Sequence, residues 1–260
     1  MPFSTRAAIA VTIIAVTLIL GSRDGLSAQS GKGGVISVES LPCAYTFTSG
    51  SGPSFFKWCL TSDGNIGWIE SPMGSQHVYA EGYAVCWAQG GMNYWDYGND
   101  QSGFSPPVIV SGCTTGSACT LRRDTADGRF RLKMVFTPNK SEREINIVHT
   151  LTNLSAQSVS EITVARQADF DMNNDAADDS FGSSDLSIWM IQGRPRIGLS
   201  RLTFTGVSSA SLGYGGPNLS ANPCGLLAPT GDDLAIGQTY SFSKLASQQN
   251  KSVKWQYRRD

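Results

Sequence analysis

Between Arg129 and Phe170 lie three runs in which one face alternates with the other at every second position, the period of a strand rather than of a helix. Phe130, Leu132, Met134 and Phe136 alternate with Arg129, Arg131, Lys133 and Val135. Ile145, Ile147, His149 and Leu151 alternate in the same way with Asn146, Val148, Thr150 and Thr152. Ile162, Val164, Arg166, Ala168 and Phe170 then share one face of a third run. Strand side chains point alternately to opposite sides, so each run buries one face and wets the other, as antiparallel strands do. Asn139 and Lys140 turn the chain after the first run. Residues 153–158 supply a return after the second, which predicts an antiparallel pair as the nucleus of the sheet.

The rest of the chain continues in this style. Short alternating or β-branched runs at 34–38, 44–48, 55–61, 66–71, 77–87, 108–112 and 118–124 precede the central stretch, and runs at 186–192, 199–207, 241–245 and 252–258 follow it. Clusters of Gly, Pro, Asn and Asp separate them, the spacing of sandwiches and barrels rather than of helical domains. Residues 89–107, rich in glycine and aromatics, take no regular assignment, and 213–231 reads as a long loop. No amphipathic helix of three turns, fixed-period repeat or linker is present, and 260 residues suffice to bury a large core. The expected fold is all-β: a single large antiparallel β-sandwich with long loops over residues 35–260.

The first 28 residues are set apart. Arg6 precedes an apolar run of 14 residues from Ala7 to Leu20, and small residues follow near Ala28, the plan of a secretory signal peptide. The run is short for a membrane span, so the mature chain is expected to have none. Residues 29–34 read as a disordered start. Without the leader the chain carries 18 basic and 20 acidic residues, a balance that argues against nucleic-acid binding. Six cysteines in an exported chain predict an oxidising compartment, secreted or at the cell surface, and up to three disulfides. Cys113 and Cys119 enclose a short loop, Cys43 and Cys59 flank an alternating segment, and Cys86 and Cys224 remain by elimination.

Four segments, EGYAVC at Glu81 to Cys86, WDYG at Trp95 to Gly98, TLTNLS at Thr150 to Ser155 and ARQADFDMN at Ala165 to Asn173, carry a resemblance. Together they resemble uncharacterised secreted bacterial β-sandwich proteins of no assigned activity. The resemblance implies export and an all-β fold, and brings no catalytic residues with it.

Two loops offer chemistry. Asp169, Asp171, Asn173, Asp175 and Asp179 place oxygen ligands at the alternate spacing of a calcium loop, with Asp178 nearby and the Ala177 carbonyl available. The other reading is a solvated acidic loop whose Asp and Asn side chains serve turns. Carboxylates this close repel unless a cation or a basic side chain offsets them. Arg166 shares a face with apolar residues, which requires either a carboxylate partner or a place at the sheet margin where its head reaches water. In the second loop Trp87, Tyr94, Trp95 and Tyr97 could present flat rings to a sugar, or plug an open end of the sandwich.

Catalytic signatures are scarce. There is no G-x-S-x-G elbow and no zinc spacing, and His149 sits on an apolar face, as a hydrogen-bonded core histidine would. The expectation is an exported β-sandwich with a non-enzymatic binding or structural role, its partner an extracellular glycan or a surface protein, with calcium at the acidic loop. The alternative is a secreted carbohydrate hydrolase. That would need two carboxylates facing each other at about 5 to 9.5 Å in a cleft lined by Trp and Tyr.

Overall fold

The computed structural model describes residues 42–98, 100–114, 116–172, 180–184, 187–191, 196–202, 207–215, 222–226 and 235–260. The expected signal peptide, residues 29–34 and the run at 34–38 lie outside them. In chain order the first strands are β1 (Cys43–Ser49), β2 (Phe56–Thr61), β3 (Ile66–Glu70), β4 (Ala80–Trp87), β5 (Met92–Tyr97) and β6 (Asp100–Ser102). Then come β7 (Val108–Gly112), β8 (Cys119–Asp124), β9 (Phe130–Pro138), β10 (Glu144–Asn153) and β11 (Val159–Asp169). The last are β12 (Ser180–Ser183), β13 (Ser187–Ile191), β14 (Arg196–Arg201), β15 (Ser209–Gly215), β16 (Ala235–Leu245) and β17 (Asn250–Arg259).

They form an antiparallel β-sandwich. One sheet has eight strands in the order β12-β13-β14-β17-β10-β9-β8-β7, the other six in the order β15-β16-β11-β4-β5-β6, and β1-β2-β3 make a small third sheet. The inner faces meet through side chains that alternate along each strand. Met134, Phe136, Ile147, Trp255 and Tyr257 come from the larger sheet and Val85, Val164, Ala168 and Tyr240 from the smaller, all buried in one core. Edge-on ring pairs such as Tyr240 with Trp255, centroids 4.9 Å apart, join the two layers.

The turn at Asn139 and Lys140 pairs β9 with β10 as predicted, but the return at 153–158 needs correction. β10 pairs with β9 and β17, whereas β11 pairs with β16 and β4 in the opposite sheet. The segment between them is therefore an arch across the sandwich. Asn153 builds it: its side-chain amide donates to the carbonyls of Gln157, Leu245 and Ala246, and its oxygen accepts from the Ser155 backbone and hydroxyl. Alternation fixes which face a strand buries, and both sheets here satisfy the same pattern.

Other boundaries differ too. Residues 89–107 contain the strands β5 and β6, β15 reaches into the expected 213–231 loop, β14 ends at Arg201, and β16 begins at Ala235. Disulfides join Cys43 to Cys59, Cys86 to Cys224 and Cys113 to Cys119.

The two outer faces are unlike. On the six-stranded sheet Gly82, Ala84 and Ala165 point outward and are buried, because residues 222–226 lie over them. Cys224 is tied to Cys86, and the Gln167 amide donates to the Pro223 carbonyl at 3.2 Å. On the eight-stranded sheet the outward residues of the central strands, among them Asn146, Val148, Thr150, Ser252, Lys254 and Gln256, stay partly open to solvent.

Candidate functional site

Cross-strand register assembles a groove on the open face. Gly182, Trp189, Gly198, Arg258 and Glu144 form one row across β12, β13, β14, β17 and β10. Ser187, Ser200, Gln256 and Asn146 form the next. On β13 the buried Ile188 and Met190 point into the core, so Trp189 between them must point out. A Cβ at Gly182 would overlap the indole nitrogen of Trp189, and one at Gly198 would lie 2.7 Å from the Trp189 Cβ. The indole thus rests over Gly182, while Gly198 leaves room for the close approach of the β13 backbone at Ile188 and Trp189.

Around this ring lies a groove of about 420 Å³, bordered by Arg196, Ser200, Gln256, Arg258 and Asp260. The Arg196 guanidinium stands 4.9 Å from the Trp189 ring centre. Asp260 fixes both arginines, accepting from Arg196 Nε at 2.6 Å and Arg258 Nε at 2.9 Å. Partial burial would raise the Asp260 pKa, but the hydrogen bonds and charges of the two arginines outweigh it and hold the group below the ordinary carboxylate range. Glu144 is equally engaged: Oε1 accepts from Asn139 and Asn146, and Oε2 from Gln256 at 3.0 Å. A half-buried aromatic ring beside forked donors, hydroxyls and an amide is the chemistry that recognises a ring of hydroxyls with an apolar face.

Between the two sheets lies a charge cluster that alternation alone could not locate. Arg166 and Glu81 are both fully buried and ion-paired. Arg166 Nη2 donates to Glu81 Oε2 at 3.0 Å, the Ile66 N–H to the same oxygen at 2.6 Å, and the Tyr257 hydroxyl to Oε1 at 2.7 Å. Burial raises the Glu81 pKa above the ordinary carboxylate range, and the Arg166 charge and these donors pull against it. The guanidinium also sits 5.5 Å from the Phe136 ring and 5.9 Å from those of Tyr83 and Tyr257. His149 accepts from Arg166 Nη1 at 2.9 Å through Nε2, and its pKa falls well below the ordinary value, through burial first and the Arg166 charge second. The carboxylate alternative for Arg166 is therefore the one realised, and His149 is a neutral core histidine.

The residues expected to act in the loops fall as follows. Trp95 and Tyr97 pair with Ala84 and Gly82 and lie half-buried on the covered face of the smaller sheet, beside Pro223. Tyr94 points the other way, is buried, and donates to Asp127 at 2.8 Å. Trp87 packs edge-on against Phe130 and carries the Arg129 guanidinium 4.2 Å from its ring centre. Strand alternation thus divides the four rings between two faces rather than gathering them. Asp169 ends β11, largely buried, and Asp171 follows it; Asn173, Asp175, Ala177, Asp178 and Asp179 lie outside the described residues.

A second, smaller cleft of about 190 Å³ is lined by Asp63, Asp96, Asp100, Asn65 and Gln101, with no aromatic ring among its lining residues. Its Asp96 is bound to the buried Arg123. Arg123 in turn donates to the Tyr83 hydroxyl at 3.1 Å and to Gln101 at 2.7 Å.

No family model and no curated protein matches the chain. Among solved structures, a bacterial glucoamylase complexed with acarbose matches with a TM-score of 0.59 and 13% identity, over 90% of this chain and 34% of that one. A protein of Escherichia coli K12 assigned provisionally as an aldose 1-epimerase matches with a TM-score of 0.49 and 9% identity, over 83% of this chain and 98% of that one. This chain therefore spans about a third of the glucoamylase, and the likeness is one of fold. Among the described residues no helix is long and apolar enough to cross a membrane.

Proposed function

We propose that this is an exported carbohydrate-binding protein and that the groove around Trp189 is where the sugar sits. The observation that carries the reading is the Trp189 ring, seated over Gly182 and ringed by Arg196, Gln256, Arg258 and Asp260. A groove of about 420 Å³ suits one or two sugar rings. Three disulfides suit an oxidising compartment, the setting of the proposed export. The sandwich shared with a bacterial glucoamylase crystallised with acarbose fits the same chemistry.

Binding is favoured over hydrolysis by how the nearby carboxylates are used. Asp260 is held by two arginines and Glu144 by three amides, so each acts as an acceptor that fixes donors in place. The rings of the 87–97 segment serve packing in this account. Affinity electrophoresis through gels carrying a panel of soluble polysaccharides tests the proposal. At least one polymer is expected to retard the protein, and Trp189→Ala to relieve that retardation about tenfold, a loss of about 1.4 kcal/mol. Retardation unaltered in Trp189→Ala would overturn the assignment of the groove.

A further inference from the structure

The chain as a whole carries a net charge of −1, yet cations dominate the outer face of the eight-stranded sheet. Arg122, Arg131, Lys133, Arg196, Lys254 and Arg258 occupy outward positions there, against Asp124, Glu144 and Asp260. Part of that charge is already matched. Arg131 grips Asp124 through two hydrogen bonds of 2.8 Å, and Arg196 and Arg258 share the single carboxylate Asp260.

The remainder is not. Among the described residues no carboxylate lies within ion-pair distance of Arg122, Lys133 or Lys254. Asp124, the acidic group whose field reaches Arg122, is the one that Arg131 holds. Arg122 and Lys133 are direct cross-strand partners, a placement in which like charges repel. Lys254 lies opposite Val148, which lies opposite Val135, two residues along β9 from Lys133. Strand spacings put the path from Arg258 through Lys254 and Lys133 to Arg122 on the order of 30 Å long. It starts at the Trp189 groove and crosses a face that no described segment covers.

We infer that the groove and this cationic path together bind an extended acidic polysaccharide, one ring on Trp189 and carboxylate- or sulfate-bearing rings along Lys254, Lys133 and Arg122. The inference rests on the carbohydrate reading of the groove and narrows its ligand to an anionic polymer. A single acidic sugar reaches only the groove end, so length matters: contacts spread along the face act together. A neutral glucan offers nothing to offset the Arg122 and Lys133 repulsion.

Calorimetric titration with polygalacturonate, with dextran of similar length and with monomeric galacturonate tests this, at about 20 mM and about 500 mM sodium chloride, because such contacts are screened by salt. At low salt polygalacturonate is expected to bind at least about tenfold tighter than dextran and about a hundredfold tighter than the monomer, the preference shrinking at high salt. The double variant Arg122→Ala with Lys133→Ala is expected to lose most of the preference, with a thermal melt confirming its fold; Lys254→Ala alone gives the same reading if it does not fold. Equal binding of dextran and polygalacturonate, binding of the monomer as tight as the polymer, or a preference untouched in the variants would overturn the cationic path and leave the groove reading standing. No binding of any of the three would overturn the cationic path, and no retardation by any polymer of the panel as well would overturn both. Binding to phosphatidylserine vesicles that survives Trp189→Ala would assign the face to an anionic lipid surface and overturn the polysaccharide.

Discussion

Arg166 and Glu81 face each other with no exposure to water, so each depends on the other for its charge to be tolerated in the core. Replacing Arg166 with Met would leave a carboxylate with the Tyr257 hydroxyl and the Ile66 N–H as its remaining donors. Breaking a buried pair from one side costs about 3–5 kcal/mol, which in a chain of this size lowers the melting temperature by roughly 6–20 °C. Adding Glu81→Gln to Arg166→Met is expected to recover part of the loss, because it removes the stranded charge. Scanning calorimetry of the two variants checks both statements, and a single-variant cost below about 1 kcal/mol would contradict the first.

The histidines set the pH dependence. His77 is buried, with Nε2 at 2.6 Å from the Ser71 carbonyl, and burial, with a contribution from Arg259, lowers its pKa to about 4. His149 is lowered further in the same direction, through burial and then Arg166. Both bind a proton more readily unfolded than folded, so they contribute stability that is fully present above about pH 6.5, declines as pH falls below it, and is lost once pH has fallen through their folded values. The expected decline is at most about 2.7 kcal/mol per pH unit just below pH 6 for the two together. Denaturant melts from pH 7 to pH 5 measure it, and His77→Asn should make the profile shallower; a flat profile would contradict the assignment of both as neutral.

At the scale of the elements, the glycines on either side of Trp189 have separable effects. Gly182→Ala would push on the indole, so it is expected to weaken polysaccharide retention about as much as Trp189→Ala while changing the melting temperature little. Gly198→Ala would bring its Cβ to 2.5 Å from the Ile188 carbonyl oxygen, which is backbone, and is expected to cost stability as well. Retention assays paired with melts distinguish the two. Removing the Cys86–Cys224 bond, which holds residues 222–226 on the smaller sheet, is expected to cost about 2–4 kcal/mol.

Much of the strand pattern was legible, because a period of two over 129–137 and 144–153 admits few alternatives. The partner of a strand was less so: the arch at Asn153 and a hairpin return look alike from alternation, and only the amide of Asn153, reaching Leu245 and Ala246 far along the chain, decides between them. Trp189 left a faint signal, standing between Ile188 and Met190 with glycines at 182 and 198, but strand pairing had to be known before those glycines could be placed beside it. The conspicuous rings at 87–97 drew attention through their density, yet alternation splits them, and the Glu81 partner of Arg166 lies 85 residues away in sequence.

For the whole molecule, the two sheets divide the work. The six-stranded sheet covers the middle of its outer face with residues 222–226 and carries Trp95 and Tyr97 as packing, while the eight-stranded sheet keeps its outer face open and polar. The central claim is that sugar is recognised on the second face and not the first. Comparing Trp189→Ala with Trp95→Ala in one titration against polygalacturonate tests it most directly. Trp189→Ala is expected to lose about tenfold in affinity at an unchanged melting temperature, whereas Trp95→Ala is expected to lower the melting temperature and keep its affinity once folded. The reverse result, affinity lost with Trp95 and retained without Trp189, would contradict it.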